Sequence, residues 1–350
     1  MSIYLLILFF LSLCSLLNPY IRKNVGIVTR LFFFEFLFLA LLGGLRKNVG
    51  VDYINYEELF HRSDELYKMK ESGFIWLVEV FNSLHLPFAV FCSLFAFLSV
   101  WLAFRFILKH SPYVFFSVLM YFSLGNYYFS TFNAMRQALA TVIFLNLLSF
   151  IEEKKFWKYT VILLLTAYFV HATVLLLIPL YFFLRKDWNI FYKMLFLGIT
   201  VVFNSFLMVI IENSPYAVYL KFEGFASAVP PTYYMIGLLS LVMFFYSWWN
   251  VVWRKKHVLL SNLNYLALLL IYLIFAYNNT PLVMVINRVL GYFTLIYVVL
   301  LPMLLVEMKK YNNRYVLITL ISVAFAFLSY WALSRNGIEN QMIPYTTIFS

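Results

Sequence analysis

The sequence predicts an all-α protein, a polytopic integral membrane helical bundle of about 12 segments with both termini extracytoplasmic. Three observations carry this. Hydrophobic residues make up 64% of the chain and charged residues 12%, against about 45–50% and about 25% in an ordinary soluble domain. The apolar residues fall in runs close to the roughly 20 residues that one bilayer crossing needs. Basic residues gather in alternate loops, which orients the chain. Disordered and collagen-like readings fail, since aromatics reach 21% while Gly and Pro number only 11 and 10.

In chain order, Met1 to Leu17 is apolar without a basic leader or a small-residue cleavage site, so it reads as a retained first span. Runs near 31–45, 86–104, 112–129 and 134–151 follow. Two short runs come next, 159–170 and 172–184, then 190–211, 233–253, 258–277, 282–306 and 315–333. The loops holding Arg22, Lys23 and Arg30; Arg105 and Lys109; Lys154, Lys155 and Lys158; Arg185, Lys186 and Lys193; Arg254, Lys255 and Lys256; and Lys309, Lys310 and Arg314 contain 17 of the 26 Lys and Arg. Their order is the one a single, cytoplasmic face requires. The net charge of +11 is therefore a topology signal, and no nucleic-acid partner is expected.

The two short runs lie between basic clusters that share a face. A helix of about 12 residues reaches roughly 18 Å, short of a hydrocarbon core of about 30 Å. A re-entrant hairpin with His171 at its tip is the expectation. Backbone breaks at such depth are tolerated where they are buried in protein or line a wet cavity. The whole chain, 1–350, reads as one transmembrane domain with outer loops at about 46–85 and 212–232, and Tyr53 to Lys70 in the first of these suits a charged amphipathic helix.

Familiar catalytic signatures are missing. Cys14 and Cys92 sit in apolar runs with no second Cys or His nearby, so neither a disulfide framework nor a zinc site is expected. The chain has no HExxH, GxxxxGK or GxGxxG. The expectation is no metal and no cofactor.

Ionisable residues near the spans are the functional candidates. Arg136 leads, because on a continuous helix Asn133, Gln137 and Ala140 would share its face. An Arg beside two amides offers a planar donor fork suited to phosphate oxygens; the plainer alternative is an Arg snorkelling to the headgroups. Arg288, with Tyr292 one turn on, is either a second phosphate contact or an interfacial anchor. Arg46, followed by Asp52, Tyr53 and Tyr56, is either a third or part of a solvated loop. All three Arg and His171 map to the outer side. Glu35 lies inside the second span with no evident partner.

These residues resemble the EpsG-type membrane proteins, which are similar to the Wzy-type O-antigen and exopolysaccharide polymerases. The resemblance rests on Leu45-Arg46 with Val49-Gly50-Val51-Asp52-Tyr53 and Tyr56, Glu71-Ser72-Gly73-Phe74, Asn133 to Ala140, His171-Ala172-Thr173 ahead of Ile178-Pro179, Arg288 with Tyr292-Phe293 and Leu301-Pro302, and Ile343-Pro344-Tyr345. Each motif is short; their shared order spans nearly the whole chain. Thr173 stands where Ser is expected and Ile343 where Tyr is more usual.

The resemblance implies a glycosyltransferase of the bacterial cytoplasmic (inner) membrane that joins polyprenyl-diphosphate-linked oligosaccharide repeat units on its outer face. Its partners would be those lipid-linked oligosaccharides, membrane lipid, and a chain-length regulator or flippase. Such chemistry needs cations for the departing diphosphate and a base for the acceptor hydroxyl. Arg136 is the first choice for the diphosphate, supported by Arg46 and Arg288; Asp52 and His171 compete as base. Asn133, Gln137, Tyr53 and Tyr292 are expected to contact substrate. The rival classes are a transporter or flippase of lipid-linked oligosaccharide, told apart by flux without lengthening, and a membrane acyltransferase, told apart by acyl content.

Overall fold

The computed structural model describes residues 1–21, 23–61, 71–124, 127–213, 217, 229, 231–307, 314–339 and 341–349. The helices are α1 (Ser2–Ile21), α2 (Val25–Gly44), α3 (Tyr53–His61), α4 (Ser72–Ser83), α5 (Phe88–His110), α6 (Val114–Ser123), α7 (Ser130–Asn133), α8 (Met135–Glu152) and α9 (Phe156–Phe169). A 3-10 segment, Ala172–Leu177, precedes α10 (Leu180–Arg185), α11 (Ile190–Glu212), α12 (Pro231–Trp249), α13 (Val251–Lys256), α14 (Val258–Ala276), α15 (Leu282–Thr294), α16 (Tyr297–Glu307) and α17 (Arg314–Asn336). No strand occurs among the described residues.

Among the described residues, five helical stretches are long and apolar enough to cross a membrane: α2, α5, α8, α14 and Val316–Arg335 of α17. The number rises to seven if the broken pairs Ile190–Asn204 with Phe206–Glu212, and Leu282–Thr294 with Tyr297–Glu307, each make one span. Helix occupies every apolar run, yet Val114–Ser123, Phe156–Phe169 and Tyr233–Trp249 are shorter. Large apolar side chains remain exposed along several of the helices, among them Phe33, Phe34, Leu164, Leu165, Val202, Phe203 and Phe327. A lipid-facing protein keeps such surface, which in water would be a liability.

The chain divides into two compact units. The first holds residues 1–147, 160–175 and 297–350. In it α2 packs along α5 and α1 along α6, with α17 against both α1 and α6. Gly43 and Gly44 of α2 face Ala96 and Ser93 of α5, small residues that let two backbones approach. Polar groups are paired across helices: Ser15 and Ser322 hydroxyls lie 2.8 Å apart, the Phe115 amide donates to Asn18 Oδ1 at 3.2 Å, and Tyr128 donates to the Leu39 carbonyl at 2.7 Å. Cys14 and Cys92 are buried packing residues, and Glu35 is fully buried beside the Cys14 thiol.

The second unit holds residues 148–159 and 176–296. Here α14 is central, touched by α10, α11, α12, α13 and α15. The Tyr159 hydroxyl donates to the Leu177 carbonyl at 2.6 Å, and the rings of Phe156 and Tyr159 pack on Tyr181. These contacts bring the start of α9 beside residues 177–181, so the chain turns back near His171. With 14 residues, α9 reaches about 21 Å. The amphipathic helix expected from Tyr53 to Lys70 is described as far as His61; its remainder, like the loop near 212–232 for the most part, lies outside the described residues.

Candidate functional site

Two local features of the first unit bring chemistry together. The first is the start of α4, where Gly73 lies so close to α9 that an added Cβ would stand 2.4 Å from Tyr168 Cδ1 and 2.7 Å from the Tyr168 carbonyl oxygen. Only glycine allows this approach. It carries Glu71, two residues earlier, to the 170–172 turn. Glu71 holds the N-cap position of α4 without using its side chain as a cap.

One carboxylate oxygen, Glu71 Oε1, collects three groups. Arg136 Nη2 is at 2.9 Å, the Ala172 amide donates from 3.2 Å, and His171 Nδ1 is at 3.6 Å. Arg136, in the first turn of α8, also donates through Nε to the Val170 carbonyl at 2.7 Å, and its guanidinium carbon lies 4.1 Å from the centre of the Phe74 ring. Arg136 is 6% exposed. Burial on its own would raise the Glu71 carboxyl; the nearby His171 imidazole, the Arg136 charge and the Ala172 amide together hold it down at about 2. The cluster thus pairs a fixed cation with an imidazole through a shared, ionised carboxylate.

Gly73→Ala is expected to part α4 from α9, since neither Tyr168 atom is the free end of a flexible chain. Overpacking of this kind costs about 1–3 kcal/mol. A lowered thermal midpoint of the purified protein checks it; an unchanged midpoint shows that the interface yields.

The second feature is the loop after α2. Gly50 has φ +99°, and a Cβ there would lie 2.7 Å from Asn133 Oδ1. The loop is clamped by the C-terminal segment: Lys47 N donates to the Thr346 carbonyl at 3.0 Å and Gly50 N to the Gln341 carbonyl at 2.9 Å, while the Tyr345 hydroxyl donates to the Leu42 carbonyl at 2.9 Å. Arg46 is only 1% exposed. Its Nη2 donates to the Thr131 carbonyl at 3.1 Å and its Nη1 to the Gly43 carbonyl, and its guanidinium lies over the Phe132 and Tyr53 rings. In this arrangement Arg46 ties the end of α2 to α7.

The helix face expected to join Asn133 to Arg136 is corrected by the structure. The chain breaks at Ala134 (φ −104°, ψ 53°), between α7 and α8. Asn133 Oδ1 instead accepts from the Val51 amide at 2.9 Å, because the Gly50 turn needs a polar anchor. Gln137 stays beside Arg136 on α8 and is half-buried. Asp52 is half-buried just before α3, its carbonyl accepting from Tyr56 N at 3.0 Å, and Tyr53 is buried against Phe88. Arg288, half-buried, and Tyr292, buried, lie on α15 in the second unit. Lys193, counted above with the basic loops, lies inside α11 and is buried.

Glu71 is the residue that sequence reasoning missed as a site residue. It is one of several acids in the 46–85 loop, and nothing local separates it from Glu57 or Glu79. Its position directly before Ser72-Gly73 is the only local sign. Among the described residues no group of three or more His, Cys, Asp or Glu could hold a metal.

A model of the EpsG family matches residues 29–347, a span that begins in α2 and ends in the segment clamping the Arg46 loop. No curated protein and no solved structure matches the chain.

Proposed function

The chain belongs to the EpsG family, and from that premise we propose that it is a polymerase joining lipid-diphosphate-linked oligosaccharide repeat units at the outer face of the bacterial cytoplasmic membrane. The family match supports membership in polysaccharide biosynthesis, and the apolar helices support a membrane location. The observation that carries the catalytic reading is the convergence of Arg136 and His171 on Glu71 Oε1.

In the reaction, a hydroxyl of the incoming unit attacks the anomeric carbon of the growing chain. The bond from that carbon to the diphosphate oxygen breaks, and the hydroxyl proton needs an acceptor. His171 is the base, oriented by Glu71 through Nδ1, and Arg136 stabilises the departing diphosphate. Before proton transfer Glu71 balances Arg136. Once His171 takes the proton, the same carboxylate is shared by two cations and the cluster gains one positive charge as the leaving diphosphate gains negative charge. That coupling favours His171 over Asp52. Arg46 acts by holding the α2 loop, and Arg288 remains a separate phosphate candidate.

Purified protein in liposomes, supplied with its lipid-linked repeat units, should produce a ladder of lengthened lipid-linked chains. Units that cross the bilayer unlengthened would overturn the proposal in favour of a flippase. Within that assay, His171→Gln is expected to keep normal abundance and lose about a hundredfold in rate, the usual contribution of a positioned acid–base group. A normal ladder from this variant would reduce His171 to a packing residue of the turn.

A further inference from the structure

The second unit contains a buried cation that the proposed reaction does not use. Lys193, in the first turn of α11, is 3% exposed. Its ammonium reaches one hydroxyl, Ser261 Oγ, at the long distance of 3.4 Å, and lies 5.5 Å from the Tyr265 ring centre and 5.9 Å from that of Phe244. An ammonium carries three donors. Burying it so poorly matched is costly unless an anion completes the site.

The neighbouring charges do not complete it. Asp187 is engaged by Arg254 at two points, Nε to Oδ1 at 2.7 Å and Nη2 to Oδ2 at 3.4 Å. That pair is balanced, which leaves the Lys193 charge as the surplus. A small, partly open recess lies here, lined by Trp188, Ile190, Lys193, Phe244, Ser247, Trp248 and Arg254. Arg185, Lys186, Lys255 and Lys256 are exposed on the flanking segments. Large apolar side chains are exposed beside them: Trp249 at 90%, Val252 at 80% and Phe191 at 66%. Aromatic and basic residues mixed in this way mark a membrane interface, and basic pockets between helices there take lipid head groups.

We propose that this recess binds the phosphate of a net-anionic membrane lipid, with Lys193 as the buried charge partner, Arg254 at the rim and Trp188 and Trp248 against the glycerol and upper acyl region. The exposed apolar rim favours a lipid over a free anion, because inorganic phosphate gains nothing from Trp249, Val252 or Phe191.

The test uses the full-length protein, purified in nonionic detergent and titrated separately with phosphatidylglycerol, phosphatidylcholine and inorganic phosphate, with bound lipid read by native mass spectrometry. Wild type should hold phosphatidylglycerol about tenfold more tightly than phosphatidylcholine. Lys193→Met should erase that preference while Lys255→Ala keeps most of it. Equal retention of the two lipids by wild type would overturn the proposal, as would an unchanged preference in Lys193→Met. Displacement of phosphatidylglycerol by equimolar inorganic phosphate would assign the recess to a free anion instead. Should Lys193→Met fail to fold, Ser247→Phe, which fills the recess and leaves Lys193 in place, must abolish the preference; retention there refutes the site.

Discussion

Glu71→Gln is expected to abolish detectable polymer and to destabilise the first unit by about 3 kcal/mol, within the range for removing one partner of a buried ion pair. The substitution keeps the shape of the side chain and removes its charge, so Arg136 is left buried beside the Val170 carbonyl and the Phe74 ring without the Glu71 countercharge. The pH dependence should change with it. The Glu71 carboxyl, ordinarily near 4.5, sits at about 2 in the folded protein, so its stabilisation is complete above pH 4.5 and is lost as the pH falls from there towards 2. Denaturation of wild type in that window should be steeper than that of the variant. The double variant Glu71→Gln/Arg136→Met separates structure from chemistry. Removing both charges should restore much of the stability, yet polymer should remain absent. Recovery of polymer in the double variant would mean that the pair only holds the fold.

Arg136→Lys is expected to accumulate single repeat units in place of long polymer, at normal protein abundance. The wild-type guanidinium works in two directions, donating through Nε to the Val170 carbonyl and pairing its charge at Nη2 with Glu71. A Lys ammonium keeps the charge but is a point on a flexible stem, so it can satisfy Glu71 without aiming donors where diphosphate charge develops. Losing one such aimed donor costs on the order of 3 kcal/mol, or about a hundredfold in rate. Were Arg136 a headgroup anchor, Lys would snorkel as well and chain length would be unchanged. That result would move the diphosphate role to Arg288.

Most of the architecture was legible because it depends on local quantities. The length and hydropathy of each run are properties of consecutive residues, so the helices appear where the apolar runs predict them. The chain reversal near His171, seen in the Tyr159 contact with Leu177, falls between the two short runs 159–170 and 172–184. The family resemblance came from ordered short motifs over nearly the whole chain, and the family model covers 29–347. Arg136 and His171 stood out by type, as ionisable groups amid apolar sequence.

Partnership was not legible, because electrostatic pairing depends on distance in space. Glu71 looked like any loop acid until Gly73 let α4 approach Tyr168 and carried it to Arg136 and His171. Asn133 seemed to belong with Arg136 by helical spacing until the break at Ala134 turned it to Val51. Lys193 read as a basic loop residue and Arg46 as either a phosphate contact or a solvated loop charge, yet packing buries both, and neither local hydropathy nor residue type distinguishes a charge facing headgroups from one enclosed by helices remote in sequence. The sequence by itself determined that helices cross a membrane and which residue types could do chemistry. Tertiary structure decided which charges face one another, because that choice is made by close backbone approach between segments distant along the chain.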